Sequence, residues 1–485
     1  MNQQLDTLQR RSPLRRLYAI LLMMSGAGTT HLRAQEKPVS IQRPLYPVPR
    51  YEEDWSFLSD ASKRDDFSDP IKYIPLSSDR KIFLSLGGEI RETYERFHNT
   101  NFGLSPQDPD GYLLQRYLIH ADLHVAERFR FFAEFNSSLE NGRTGGPRPF
   151  IDENKFGIHQ GFLDLRLLNS RNGSSLTLRI GRQEIAFGSG RMVALREGPN
   201  VPLSFDGFRL SLHTKTWSVD GFATRPVQTR TGSFDDPPQH DFSFWGVYAT
   251  HRLSGDTGKR TLDFYYFGLD QQNALYNQGA EHQVRHSLGV RFYGHRGGWT
   301  YDTEAMYQFG DFGVGSINAW RAAADNSYTF STVRWRPRVG LATDIASGDH
   351  DPANPDLETF NALFQSGTYS GRAGILGPNN AMRLEPSLGL FLTEHVTLSA
   401  GWGFYWRENV NDGLYGIPGN LIVPSNGVKS RYEGSRPIVQ LDWQVTRHLS
   451  VHVNYIYVFN ASFEEQSVHG TPNMSFVSPW VTYRF

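Results

Sequence analysis

Beyond residue 80 an alternation of apolar and polar side chains recurs to the end of the chain. In "QRYLIHADLHV", Tyr117, Ile119, Ala121, Leu123 and Val125 share one parity, and Arg116, His120, Asp122 and His124 the other. "IFLSLGGEIRETYERF" sorts Leu84, Leu86 and Ile90 from Ser85, Glu89 and Arg91, and "WTYDTEAMYQF" sorts Trp299, Tyr301, Ala305, Tyr307 and Phe309 from Asp302, Glu304 and Gln308. A period of two is the mark of a strand with two different faces. The final stretch, "SPWVTYRF", keeps the pattern, with Val477, Pro479, Val481, Tyr483 and Phe485 set against Ser478, Trp480, Thr482 and Arg484. Chain ends usually fray. A patterned strand ending on phenylalanine needs a partner for its backbone and an apolar solvent for one face.

Lipid supplies that solvent. The chain has 33 Phe, 22 Tyr, 10 Trp and 46 Gly, yet its mean hydropathy is only −0.48. In a transmembrane barrel only alternate residues touch lipid, so such a chain is aromatic without being hydrophobic overall. With no cysteine, disulfides and thiolate metal sites are excluded.

At the N-terminus Arg10, Arg11, Arg15 and Arg16 precede "LYAILLMMSGAG" and then "HLRAQE". A basic region followed by an apolar run too short to span a bilayer reads as a secretory signal, residues 1–34, cleaved near Ala34. Its removal takes away five arginines and one aspartate and leaves 44 basic against 49 acidic residues, which does not suggest a nucleic-acid partner. Only 8 of the 49 basic residues are lysine; arginine's rigid fork of donors suits carboxylates and phosphates. Residues 35–80 are proline-rich and then charged, and read as a periplasmic N-terminal extension. The barrel is expected over 81–485.

About 18 strands are expected, joined by links that alternate between long and short. Long links fall at 98–111, 140–157, 188–202, 225–241, 270–282, 345–383, 408–430 and 461–474. Tight ones fall near Glu127-Arg128, Asn169–Ser175, Thr214–Thr216, Ser254–Arg260, His295–Gly298, Asp325–Ser327, Glu394-His395 and Thr446–His448; one outer link, Gly310–Ser316, is short. Short periplasmic turns and long extracellular loops are the habit of bacterial outer-membrane barrels. Pro337 and Pro479 fall inside expected strands, where each removes one donor.

Several longer motifs carry a resemblance. "RIGRQEIAFGSGRMVALREGPNVPLSFDGFRLSL" at 179–212, "YQFGDFG", "INAW", "RVGLATDIASGD", "TFNALFQSGTYSG", "LGPNNAMRLEPSL" and "WRENVNDGLYG" resemble the alginate export family of outer-membrane barrels. The resemblance implies an 18-stranded antiparallel barrel with an arginine-rich lumen that conducts an anionic polyuronate. Arg182, Arg191, Arg196 and Arg209 resemble the family's basic pore lining, with Glu184 and Asp206 among them as counterions. The better-known exporters also carry a long late periplasmic turn that obstructs the pore; here the late turns are short.

In "TVRWRPRVGL", Arg334, Arg336 and Arg338 fall at i, i+2 and i+4, which on a strand puts three guanidinium groups on one face, about 6.6–7 Å apart. Facing lipid, each would cost roughly 2–4 kcal/mol, so the three are assigned to the lumen as an anion ladder, unless they simply pair with acids across it. Arg407 and Arg484 have lumen parity as well. His120, Asp122 and His124 share a face but point in parallel, which suits a polar lumen network better than a metal site. "DIASGDHDPANPD" is rich in oxygen donors without EF-hand order; Asp344 and Asp349 are its candidate ligands for a structural Ca2+ in an outer loop. "GSG" at 188–190 lacks the lysine of a phosphate loop.

The expected protein is a monomeric outer-membrane channel, porin-like and without catalysis or cofactor, passing an anionic polysaccharide or small anions by diffusion. Its expected partners are outer-membrane lipid and lipopolysaccharide, the barrel assembly machinery, and a periplasmic scaffold of a secretion complex. The alternatives are a passive nutrient-uptake porin and a barrel enzyme such as a lipase or protease. On this reading, neutralising Arg334, Arg336 and Arg338 together lowers anion preference in planar bilayers.

Overall fold

The computed structural model describes residues 46–170, 172–253, 259–367, 371–417, 419–467 and 472–485. The expected secretory signal lies outside these residues. Among the described residues eighteen long strands pair in sequence order and close on themselves. The first six are β1 (Ile82–His98), β2 (Tyr112–Val125), β3 (Phe129–Asn141), β4 (Asn154–Asn169), β5 (Ser175–Gln183) and β6 (Phe205–His213). Next come β7 (Trp217–Pro226), β8 (Phe242–Leu253), β9 (Lys259–Tyr276), β10 (Gly279–Arg296), β11 (Trp299–Phe312) and β12 (Gly315–Thr329). The ring ends with β13 (Arg338–Ala346), β14 (Ala381–Phe391), β15 (Val396–Arg407), β16 (Tyr432–Gln444), β17 (Leu449–Val458) and β18 (Met474–Arg484). Every pairing is antiparallel, and the shortest strands have nine residues, enough to cross the hydrocarbon.

The seam answers the question raised by the C-terminus. β18 pairs with β1 from Glu89↔Arg484 to His98↔Ser475. Beyond it, Phe485 donates its N–H to Gly88 O and Gly88 donates back to Phe485 O, at 3.1 and 2.9 Å. A Cβ on Gly88 would lie 2.6 Å from Leu118 O and 2.9 Å from the Phe485 ring, so only glycine lets the terminal ring lie flat here.

The two faces sort as the alternation requires. Ile119, Phe131, Ile180, Phe208, Phe264, Leu288, Val339 and Val439 are exposed on the outer wall. Their neighbours in sequence, among them His120, Asp263 and Ser287, are buried on the inside, as are Asp302, Glu304 and Asp344. Exposed Trp217, Trp299, Trp335 and Trp443 all lie at the short-turn end, an aromatic girdle at the membrane interface.

Two connections differ from expectation. β9 and β10 run on to a turn at Asn277-Gln278, so 270–282 is not a long loop. β12 continues through Asp325–Ser327 to Thr329, and the turn follows at 330–337. Pro337 therefore ends that turn instead of interrupting a strand, whereas Pro479 does sit within β18, opposite Val453.

Residues 46–75 do not hang free. They form short 3-10 turns and one helical turn, Asp69–Lys72, and Ile74 and Pro75 pair with Leu84 and Phe83 of β1.

Because the seam tolerates no side chain at residue 88, Gly88→Val is expected to cost about 1–3 kcal/mol. The measurement is the temperature at which the purified barrel loses its compact migration in a detergent gel, which should fall relative to the parent.

Candidate functional site

The bore is filled unevenly. Loop 184–204, after β5, and loop 347–380, after β13, both fold inward and bind each other. Ala194 donates to Phe364 O, Phe364 to Met192 O and Ser366 to Gly190 O, each at 2.9 Å. Ile185, Phe187, Met192, Val193, Phe360 and Leu363 from these loops pack on the inward rings of Phe222, Phe244 and Phe267. Along β7 to β9 the lumen thus has an apolar core. Alternation shows which side chains point inward, but not that folded loops meet them there.

Arg191 locks this inner layer. Its guanidinium reaches Asp302 and Glu304 on β11 at 2.8 Å each and Asp325 on β12 at 2.6 Å. Arg291 bridges Asp263 and Asp302, and Arg321 holds Asp344 at 2.7 Å while donating to the Arg191 carbonyl. Arg191 is therefore a lumen residue, as expected, but three acids already occupy it.

The opposite wall, β18, β1 and β2, is basic. Arg91 and Arg116 are register partners on the lumen face, which sets like charges directly opposite each other. Glu89 offsets the repulsion, binding Arg116 at 2.6 Å and Arg484 at 2.8 Å, and Glu197 from loop 184–204 approaches Arg116 at 3.2 Å. Arg91 spends two nitrogens on the carbonyls of Glu197 and Pro199. Arg372, carried in by loop 347–380, lies 3.9 Å over the Trp480 ring and donates to Ser478 Oγ. Three buried donors here, Arg91 Nε, Arg116 Nη1 and Arg372 Nη2, find no protein acceptor.

The other candidates divide. Arg209 faces the lumen, paired with Asp220 at 2.8 Å beside Phe187. Arg182 and Asp206 do pair, at 2.8 Å, but share the parity of exposed Ile180 and Phe208. They brace the outer wall near the extracellular rim and do not line the pore. Arg196 donates from loop 184–204 to Phe150 O. Arg407 is fully buried, its donors taken by the carbonyls of Val410, Asp412, Val428 and Ser430, so it staples outer loops. Glu184 accepts from His159 and Gln160 rather than from an arginine.

The ladder at 334–338 does not form. Arg334 and Arg336 lie in the 330–337 turn, where Trp335 and Arg336 have φ of 63° and 41°. Only Arg338 is in a strand, at the lumen rim, bonded to Thr329 Oγ1. Trp335 belongs to the interfacial girdle, and the flanking arginines lie over Trp335 and Phe391 at 4.6 and 5.1 Å. That position suits headgroup contact and not a pore.

Asp344 is occupied by Arg321 and stands apart from Asp349, which lies in loop 347–380 with its N–H on Asp412. Among the described residues no three imidazoles or carboxylates group to hold a metal. His120 and Asp122 join polar lumen contacts with Glu134, His124 and Arg130.

The profile of the alginate export family matches residues 82–474. The chain belongs to the alginate export family. No curated protein matches it in sequence. Solved structures share the fold at low identity. Acinetobacter baumannii OccAB1 is 13% identical with a TM-score of 0.58, covering 86% of this chain and 100% of that one. Pseudomonas aeruginosa OccK8 (OprE) is 12% identical with a TM-score of 0.56, covering 83% and 98%. P. aeruginosa OpdK, solved with vanillate, is 11% identical with a TM-score of 0.55, covering 83% and 98%. This family member is an outer-membrane channel of Gram-negative type.

Removing Arg191 leaves buried Asp302 and Glu304 short of a partner, a loss of about 3–5 kcal/mol. Arg191→Ala should loosen loop 184–204, giving larger and noisier single-channel currents. Arg182→Ala, on the outer wall, should leave the currents unchanged.

Proposed function

We propose that the channel passes carboxylated solutes, an anionic polysaccharide or small organic anions, by diffusion along the basic wall of Arg91, Arg116, Arg372 and Arg484. The observation that carries this reading is the set of unaccepted guanidinium donors on that wall. A buried donor left without an acceptor costs about 1–3 kcal/mol, and a passing carboxylate or water recovers it. Across the lumen Arg191, Arg291 and Arg321 are consumed by acids and offer a solute little. Within the basic patch Arg91, Arg116, Arg372 and Arg484 outnumber Glu89 and Glu197, and Glu95 beside Arg372 is already paired with Arg148, so the local field favours anions. Several weak sites in series speed entry and still allow release.

The proposed setting is the outer membrane after cleavage near Ala34, and no chemical step is invoked. A passive uptake role is the second reading; OpdK, solved with the small carboxylate vanillate, favours it over polymer export.

Replacing Arg91, Arg116 and Arg372 together by glutamine should move the reversal potential in a salt gradient away from the anion side, and Arg334→Gln with Arg336→Gln should not. An unchanged potential in the first variant removes the basic wall from the mechanism.

A further inference from the structure

Loop 184–204 covers Arg91 and Arg116 through Glu197 and Pro199, whereas the periplasmic end of the same wall, from Gly88 and Phe485 to His120, is covered by residues 46–75. The two inward loops are held by a charged lock and an apolar core. Residues 46–75, at the periplasmic mouth, are held quite differently.

Part of their apolar contact is internal. Tyr46, Trp55, Leu58 and Tyr73 form a small core of their own, to which the barrel contributes Phe83. Their attachments to the barrel are polar and aromatic, with a short backbone pairing of Ile74 and Pro75 on β1. Arg50 donates to Gly88 O at 2.8 Å and to Phe485 O at 3.0 Å, which pins it across the β1–β18 seam below Glu89 and Arg484. Asp66 accepts from His448 at 3.0 Å and pairs with Arg447 at 3.3 Å, both in the β16–β17 turn. Arg130 of β3 binds the Tyr51 carbonyl, and Lys72 pairs with Glu53 beside His120. Four rings also meet the wall: Tyr51 lies edge-on to Phe132 and Phe162, Tyr73 stacks on Phe83, and Tyr46 and Phe67 lie against His448.

We infer that residues 46–75 are a removable stopper that closes the periplasmic end of the basic wall, with Asp66 and Arg50 as its latches.

A unit with its own core can leave without unfolding. The surface it uncovers is largely polar, since His120, Glu134, His159 and Gln160 line the wall beneath it and hydrate readily, with Phe132 and Phe162 as its apolar part; His120 Nδ1 and Glu134 Oε2 already face each other at 3.6 Å. Segment 76–81, with Arg80 at φ 57°, is the turn that joins the stopper to β1, and the short pairing of Ile74 and Pro75 with Leu84 and Phe83 opens when the stopper leaves. Although burial opposes it, hydrogen bonds from Ser68 and His448 hold the Asp66 carboxyl well below its usual range, so the latch stays charged in any ordinary medium. The late periplasmic turns at 392–395 and 445–448 are short, which leaves the mouth to this segment.

The cysteine-free chain makes the test clean. Asp66→Cys with His448→Cys should form a disulfide on oxidation, and single-channel conductance should then fall several-fold and recover on reduction. Arg50→Ala with Asp66→Asn should raise the open fraction, while compact gel migration shows an intact barrel. Equal currents from oxidised and reduced protein, failure of the pair to cross-link, or unchanged opening in the latch variant would each overturn the proposal. Reversal potentials taken on the same channels judge the anion reading separately: tether control with cation preference sinks that reading alone, and anion preference without tether control sinks the stopper alone.

Discussion

In hydrocarbon no backbone N–H or C=O can turn to water, so a sheet that crosses a membrane must close. The whole molecule depends on the one pairing that achieves this, β18 against β1. It explains why the alternation runs to the final atom, why Gly88 carries no side chain, and why the last aromatic ring is ordered. It also fixes the charge layout of the bore. Closing the ring brings Arg484 to Glu89 and so completes the basic wall that β1 and β2 begin.

The interior then solves two different problems. Along β10 to β13, inward acids meet arginines from neighbouring strands and from Arg191, and the charges cancel in a dense lattice. Along β18, β1 and β2, like charges face each other and the acids are fewer, so donors are left over. Loops 184–204 and 347–380 contribute to both sides: one supplies Arg191 to the lattice and Glu197 to the basic wall, the other supplies Arg372. One wall is thus sealed by its own ion pairs, while the other keeps guanidinium donors without a protein acceptor.

Much of this was legible in the chain. Parity placed Glu89, Arg91, Arg116 and Arg484 inward, and the structure agrees, because a strand's side chains must alternate whatever it pairs with. Singling out Arg91 and Arg116 as a site was not possible from parity, since their importance lies in being register partners across two strands. The reading failed where it assumed a strand. At 334–338 an i, i+2, i+4 pattern looked like a ladder, but Pro337 and the interfacial demand of Trp335 turned the backbone instead. Arg182 and Asp206 were placed in the pore by resemblance of the motif; the strand alternation puts both on the outer wall, where they pair.

By itself, then, the sequence determined a closed, two-faced antiparallel barrel of about eighteen strands, since local alternation and the rhythm of long and short links depend only on near neighbours along the chain. Tertiary structure alone decided which arginines are spent and which remain, what fills the bore, and where residues 46–75 lodge. Those outcomes arise between groups a hundred or more residues apart, such as Arg191 with Asp302 or Arg50 with Phe485, and no local pattern encodes them.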